Sequence, residues 1–331
     1  MPSIAVERRL AGTDVLPLKG TAAAPLPEHV RQAVVEALDE HTVTPPSRGH
    51  VALREAIARS LPAPADPESG ILVTNGAMHA LSLVFRALLQ PGDEVIVPIP
   101  CYFFGGLIER AGGVFVSVPN WDPEAIERAV TPRSRALVVT NPNNPDGHLP
   151  SRAEIDELLA LASRHDLTLI TDEAYERCIH DGELASAWGA PNVILIRSLG
   201  KSLAMPAWRI GFVAAEPPVI DGCLRELEWD VIRVSHVAQR AATAALDGPQ
   251  DWLDEVAAGY RRDRDAAHAM IAEHPVLSAP IPAATPFLWL DLGELSSEDV
   301  IGQGFPVVDG AAFGTPGFAR LPFGGFARSS G

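Results

Sequence analysis

The sequence predicts an α/β fold, with a large domain whose mostly parallel sheet is sandwiched by helices and a smaller α/β domain drawn from both chain ends. Three observations carry this. Short apolar, β-branched runs alternate with segments of helical period, the pattern of a sheet built by helical crossovers. Several of those runs are apolar on both faces, as strands covered on two sides must be. At 331 residues, the chain has room for about two domains of roughly 150 residues.

Taken in order, residues 26–40 form an amphipathic helix, followed by the turn TPPSRG at 44–49. Strands are expected at 71–75, 94–100, 114–119, 136–140, 167–171, 193–198 and 209–215. Between the fourth and fifth, Ser151 and Glu154 make a capping box, and Ile155, Leu158, Leu159 and Ala162 follow at helical spacing. Residues 251–273 read as one long helix. A Pro-rich stretch then leads to a strand at 287–292. The large domain is expected over 45–250, and the small, reduced one over 1–44 and 251–331.

Composition narrows the function. Forty-two acidic side chains face 26 basic ones, a net charge of −16; nucleic acid and anionic membranes need the opposite surplus. A hydrophobic fraction of 47% with 21% charged residues suits a folded core. The most apolar run, residues 80–89, is interrupted by Arg86 and falls short of the roughly 18 residues that span a bilayer. Charges stand where a signal peptide needs its apolar stretch. The three cysteines, Cys101, Cys178 and Cys223, are too few and scattered for a disulfide framework or a zinc site. A cytoplasmic protein without a bound metal is expected.

In open α/β sheets, ligands bind beyond the carboxyl ends of the strands. Here those ends deliver Gly76-Ala77-Met78 opening a helix, then Tyr102, then the Asn141–Gly147 turn with Asn144, then Asp172 and Tyr175, then Ser198, Lys201 and Arg209. Singly, each is ordinary turn, cap or surface chemistry. Together they supply a phosphate nest, a ring-stacker, an amide, a carboxylate and a lysine at one edge. That set fits pyridoxal 5'-phosphate, which needs a Schiff-base lysine, an acid for its pyridine nitrogen and anchors for its phosphate.

The segments at 91–113, 140–151, 169–182 and 198–212 also resemble, in order and spacing, the motifs of the fold-type I pyridoxal-phosphate enzymes of the class I/II aminotransferase group. The resemblance implies that Lys201 forms the Schiff base and moves the substrate's α-proton. It implies that Asp172 pairs with the pyridine nitrogen, that Asn144 and Tyr175 bond the phenolic oxygen, and that Tyr102 stacks on the ring. Ser198, Arg209 and the Ala77 and Met78 backbone would hold the phosphate. Arg320 stands where the family binds the substrate α-carboxylate, Asn144 is implied to contact the substrate as well as the cofactor, and Gly20 stands where the N-terminal segment passes the substrate.

The implied reaction moves an amino group between an amino acid and a 2-oxo acid, in a homodimer whose site lies at the subunit interface. A lyase, decarboxylase or cyclising enzyme is the alternative on the same site, and a non-catalytic module on this fold a third reading. The intact Lys201 and Asp172 count against the last. Four departures from the family stand out. The small domain is shortened, Thr44 replaces a tyrosine lent to the neighbouring subunit, Asp146 replaces a threonine, and Gly200 replaces a serine.

Overall fold

The computed structural model describes residues 25–325. Gly20 lies outside them. Seven strands form the central sheet: β1 (Ile71–Thr74), β2 (Glu94–Ile99), β3 (Val114–Pro119), β4 (Ser134–Thr140), β5 (Thr168–Asp172), β6 (Val193–Arg197) and β7 (Gly211–Ala214). Their order is β1-β7-β6-β5-β4-β2-β3. All pair in parallel except β7, which runs antiparallel to both neighbours. Strands β1, β6 and β7 are buried throughout, which is why they read as unbroken apolar runs. At the edge, β3 is largely exposed and buries Val118 alone.

The helices follow from local chemistry. Helix α1 (Glu28–Asp39) buries Val30 and Ala37. It packs on α9 (His236–Asp247), and Val30 shares one apolar core with the central sheet. The N-terminal helix, grouped with the small domain on sequence, therefore rests against the large one. Helix α2 (Val51–Ser60) packs on the same α9. After β1 comes α3 (Ala77–Leu88), which carries six buried apolar side chains and runs against α8 (Pro217–Asp230). Helices α4 (Gly105–Arg110) and α5 (Pro123–Ala129) flank β3.

Helix α6 (Arg152–Arg164) begins with the expected reciprocal cap between Ser151 and Glu154. Its buried stripe is Ile155, Leu158, Leu161 and Ala162, with Leu159 only half-buried. The face sits one position round from the one that spacing suggests.

The short helix α7 (Leu199–Ser202) caps β6, and α10 (Asp251–Ala272) is the long helix expected after residue 250. Beyond it, β8 (Phe287–Asp291), β9 (Val308–Asp309) and β10 (Phe318–Pro322) make a separate antiparallel sheet, order β8-β10-β9. The middle segment keeps one short helix, α11 (Ser297–Gly302), with its own capping box. This sheet packs with α10 around a second core that includes Leu288, Leu290 and Leu321. Among the described residues no helix is long and apolar enough to cross a membrane, and no cluster of His, Cys, Asp and Glu is arranged for a metal ion.

Candidate active site

The ends of β1, β2, β4, β5 and β6 open on one cavity. Nine residues expected there from the sequence line it: Ala77, Met78, Tyr102, Asn144, Asp172, Tyr175, Ser198, Lys201 and Arg209. Each strand delivers one part. After β1 the chain turns through Gly76 in the left-handed region, φ 79°, and starts α3, so the free N–H groups of its first turn face the cavity with the helix's positive end. The Arg209 guanidinium leans on Gly76, where an added Cβ would lie 3.0 Å from Nη2. Arg209 is itself left-handed, φ 50°. This is the cationic end of the cavity.

At the other end, Asp172 closes β5. It is 5% exposed, and its Oδ1 accepts from the Ala174 N–H at 3.0 Å. Burial raises its pKa to about 6, against the opposing pull of Lys201. Lys201 lies on α7, its Nζ 3.9 Å from the Tyr175 ring centroid and 5.9 Å from that of Tyr102. Burial lowers the pKa of this amine and Asp172 raises it. Burial also holds the Tyr175 hydroxyl well above the usual phenol range. An amine whose pKa burial lowers, a buried carboxylate and a cationic cradle on one cavity form a cluster of perturbed groups typical of a reactive site.

The Asn141–Gly147 turn supplies the amide. Arg320, on β10, donates from Nη1 to Asn144 Oδ1 at 2.9 Å. That contact fixes which way the amide points, so its Nδ2, without a partner among the described residues, is the group left to donate to a ligand. Arg320 is half-buried, with its guanidinium 4.3 Å from the Phe287 ring centroid and 4.9 Å from that of Phe313. Its Nε is buried without a hydrogen-bond partner. A guanidinium held on aromatic faces, with a donor to spare and no carboxylate paired with it among the described residues, is prepared for an anion.

Sequence reasoning missed several neighbours. Thr140 and Ala174 also line the cavity, and Thr140 sits at a strand end where the same rule could have found it. Below the cavity, Glu173 and Arg197 form a fully internal ion pair, Nη2 to Oε2 2.6 Å, with Ser186 on the second carboxylate oxygen at 2.6 Å. It ties the residue after Asp172 to the residue before Ser198. No spacing announces it. Gly200 has a local reason, since an added Cβ would come within 3.1 Å of the Met205 carbonyl. Asp146 turns its carboxylate into its own loop rather than into the cavity.

The arrangement suits pyridoxal 5'-phosphate on structural grounds. The cavity has an anion cradle at one end, a carboxylate at the other, and an unpartnered amide donor and a desolvated lysine between them. Residues 16–326 match the family model for aminotransferase class I and II, and the chain belongs to that family. It is a pyridoxal-phosphate-dependent aminotransferase of fold type I.

Among its relatives, the aspartate/prephenate aminotransferase of Thermus thermophilus is 33% identical over 346 residues, covering 96% of this chain and 89% of that protein. Aromatic-amino-acid aminotransferase 2 of Thermococcus litoralis is 31% identical, covering 72% and 67%. The structure of the Thermus thermophilus aspartate aminotransferase with maleate superposes with a TM-score of 0.88 at 31% identity, over 98% of this chain and 92% of that one. Among the readings left open by the residues, the family and the relatives' names support the transferase of amino groups.

Proposed function

We propose that Lys201 is the residue that holds the cofactor covalently through Nζ, and that Arg320 takes the α-carboxylate of an amino acid whose amino group passes to a 2-oxo acid. The observation that carries this reading is the pairing of a desolvated Lys201 amine with an Arg320 guanidinium already bonded to Asn144. When bound, pyridoxal phosphate supplies an electron sink for the substrate α-carbon. The protein does the rest. Arg209, Ser198 and the first turn of α3 would hold the phosphate, Tyr102 would pack against the ring, and Asp172 would keep a proton on the pyridine nitrogen. Asn144 Nδ2 and Tyr175 would donate to the phenolic oxygen. Lys201 Nζ would take the substrate's α-proton and return it.

The donor's side chain is open to acidic and aromatic groups, the classes in the relatives' names. Gly20 remains proposed as a backbone contact to the substrate. We place the enzyme in the cytoplasm, where its three buried free thiols match a reducing medium.

The working form is proposed to be a homodimer. Val35, Leu38, Val43, Val51, Trp229 and Ile232 are exposed, Trp229 by 92%. The loop after α8 that carries Ile232 is bonded to the 44–49 turn by Arg233 Nε on the Pro45 carbonyl, 2.9 Å. A second copy would cover this apolar surface. Light scattering on active protein tests it, and a monomer with full activity refutes it.

For the reaction, visible absorption with added pyridoxal phosphate is scanned before and after a panel of amino acids. A protein-bound cofactor band is expected that is missing in Lys201→Ala, converted by one amino acid and restored by a 2-oxo acid. A band that Lys201→Ala retains, or that no amino acid converts, overturns the assignment.

A further inference from the structure

Asp146 is a charged residue in the turn that carries Asn144, and its partners lie in that turn and at the residue just after it. Its Oδ1 accepts from Asn143 Nδ2 at 2.8 Å and from the His148 N–H at 3.0 Å. Asn143 is thereby held in place, and its Oδ1 accepts from the Thr140 hydroxyl at 2.5 Å. The same Asn143 amide also donates to the Pro100 carbonyl, 3.1 Å away at the end of β2. The turn is thus fastened to two strands of the central sheet. Thr140 in addition lies within 3.5 Å of the Asn144 N–H.

The other side of the turn touches the small sheet. Gly147, φ 72°, lies so close to the segment before β8 that an added Cβ would come 2.6 Å from the Ala284 carbonyl and 2.7 Å from Pro282 Cβ. Residues 287–291 then pair with β10, in register Arg320 to Trp289. The turn is therefore the wedge between the two sheets, with Asn144 bonding Arg320 on one flank and Gly147 seating the segment before β8 on the other.

We propose that Asp146 is a positioning residue that sets the substrate-carboxylate site: by fixing Asn143 it holds the turn at the height from which Asn144 orients Arg320. This rests on the reading of Arg320 as the carboxylate reader. The needed feature is an acceptor oxygen at Oδ1, because both partners are donors. Asparagine supplies that oxygen, threonine supplies one oxygen on a shorter side chain, and alanine supplies none.

The test uses the cofactor-loaded enzyme and a 2-methyl amino acid, which has no α-proton to lose. The donor for which turnover is found serves as its parent. Its binding is titrated by calorimetry, and KM and kcat are measured separately for the parent. Asp146→Ala is expected to bind the probe about tenfold more weakly, the size of effect of losing hydrogen bonds to a charged group. It is expected to raise KM by a similar factor with a smaller change in kcat, while Asp146→Asn restores the affinity.

Wild-type affinity in a folded Asp146→Ala protein overturns the proposal. So does an Asp146→Asn protein as weak as the alanine variant. Should Asp146→Ala fail to fold by circular dichroism, Asp146→Thr carries the test: weaker binding supports the proposal and unchanged binding overturns it. Arg320→Gln in parallel separates the two layers. If it binds the probe normally, the carboxylate reading itself fails; if it binds weakly while Asp146→Ala does not, only the role of Asp146 fails.

Discussion

Replacing Asp172 by asparagine should make the cofactor-free protein more stable at neutral pH. Asp172 is 5% exposed, and burial lifts its pKa from the usual 3.8 to about 6. An acid with a raised pKa in the folded state holds its proton more tightly folded than unfolded. Stability therefore grows as pH falls from 7 through 6 toward 4, and the ionised carboxylate costs the folded protein about 3 kcal/mol at pH 7. Asparagine cannot ionise, and its Oδ1 can still accept from the Ala174 N–H. The favourable charge of Lys201 is already contained in that figure, because Lys201 is one of the groups that set the Asp172 pKa. The net expectation is about 1 to 3 kcal/mol in favour of Asp172→Asn at pH 7, shrinking to about half near pH 5.

Urea unfolding of both proteins without cofactor, at the two pH values, measures it. Transamination should fall by at least about 100-fold, because the group that holds the pyridine proton is gone. An Asp172→Asn protein no more stable than wild type at pH 7, or a gap that does not narrow with acid, would show the carboxylate to be already neutralised and the reasoning wrong.

Two other perturbations test the frame around the cavity. Glu173→Ala takes the hydrogen-bonded partner from buried Arg197 and leaves Glu176 as its remaining acid, so it should cost about 1.5 to 3 kcal/mol in urea unfolding; a cost below about 1 kcal/mol would contradict the picture. Gly76→Ala imposes a Cβ at φ 79° with Arg209 Nη2 3.0 Å away; cofactor affinity measured by fluorescence titration should drop about tenfold, and an unchanged Kd would remove Arg209 and the α3 N-terminus from the phosphate site.

The central sheet was legible because its signal is local. Runs such as 71–74 and 193–197 are buried on both faces and bounded by turn residues, so each announces itself within a few positions. The strand-end rule then pointed to the nine cavity residues without any knowledge of strand order. Two features stayed hidden. The antiparallel setting of β7 depends on how the chain returns after α7, and residues 209–215 carry no mark of direction. The seat of α1 against α9 depends on contacts across about 200 residues, such as His236 with Glu40 at 2.7 Å, and amphipathicity says only that a face is buried.

The same contrast separates the two halves of the site. The cofactor end is assembled from one sheet, so five of its strands each contribute a residue near their own terminus and the sequence displays them in order. The substrate end requires a residue from one sheet to meet a residue from another: Arg320 reaches Asn144 across 176 positions, resting on Phe287 and Phe313 from two further segments. None of these four residues is distinctive alone, and Arg320 was placed by resemblance rather than by pattern. Yet this junction sets where the substrate sits. One asparagine amide gives its oxygen to the carboxylate reader and keeps its nitrogen for the cofactor, so any shift of the turn moves both together. A change in the small sheet, far from Lys201 in sequence, should therefore be felt first in how tightly substrate binds and only afterwards in how fast it reacts.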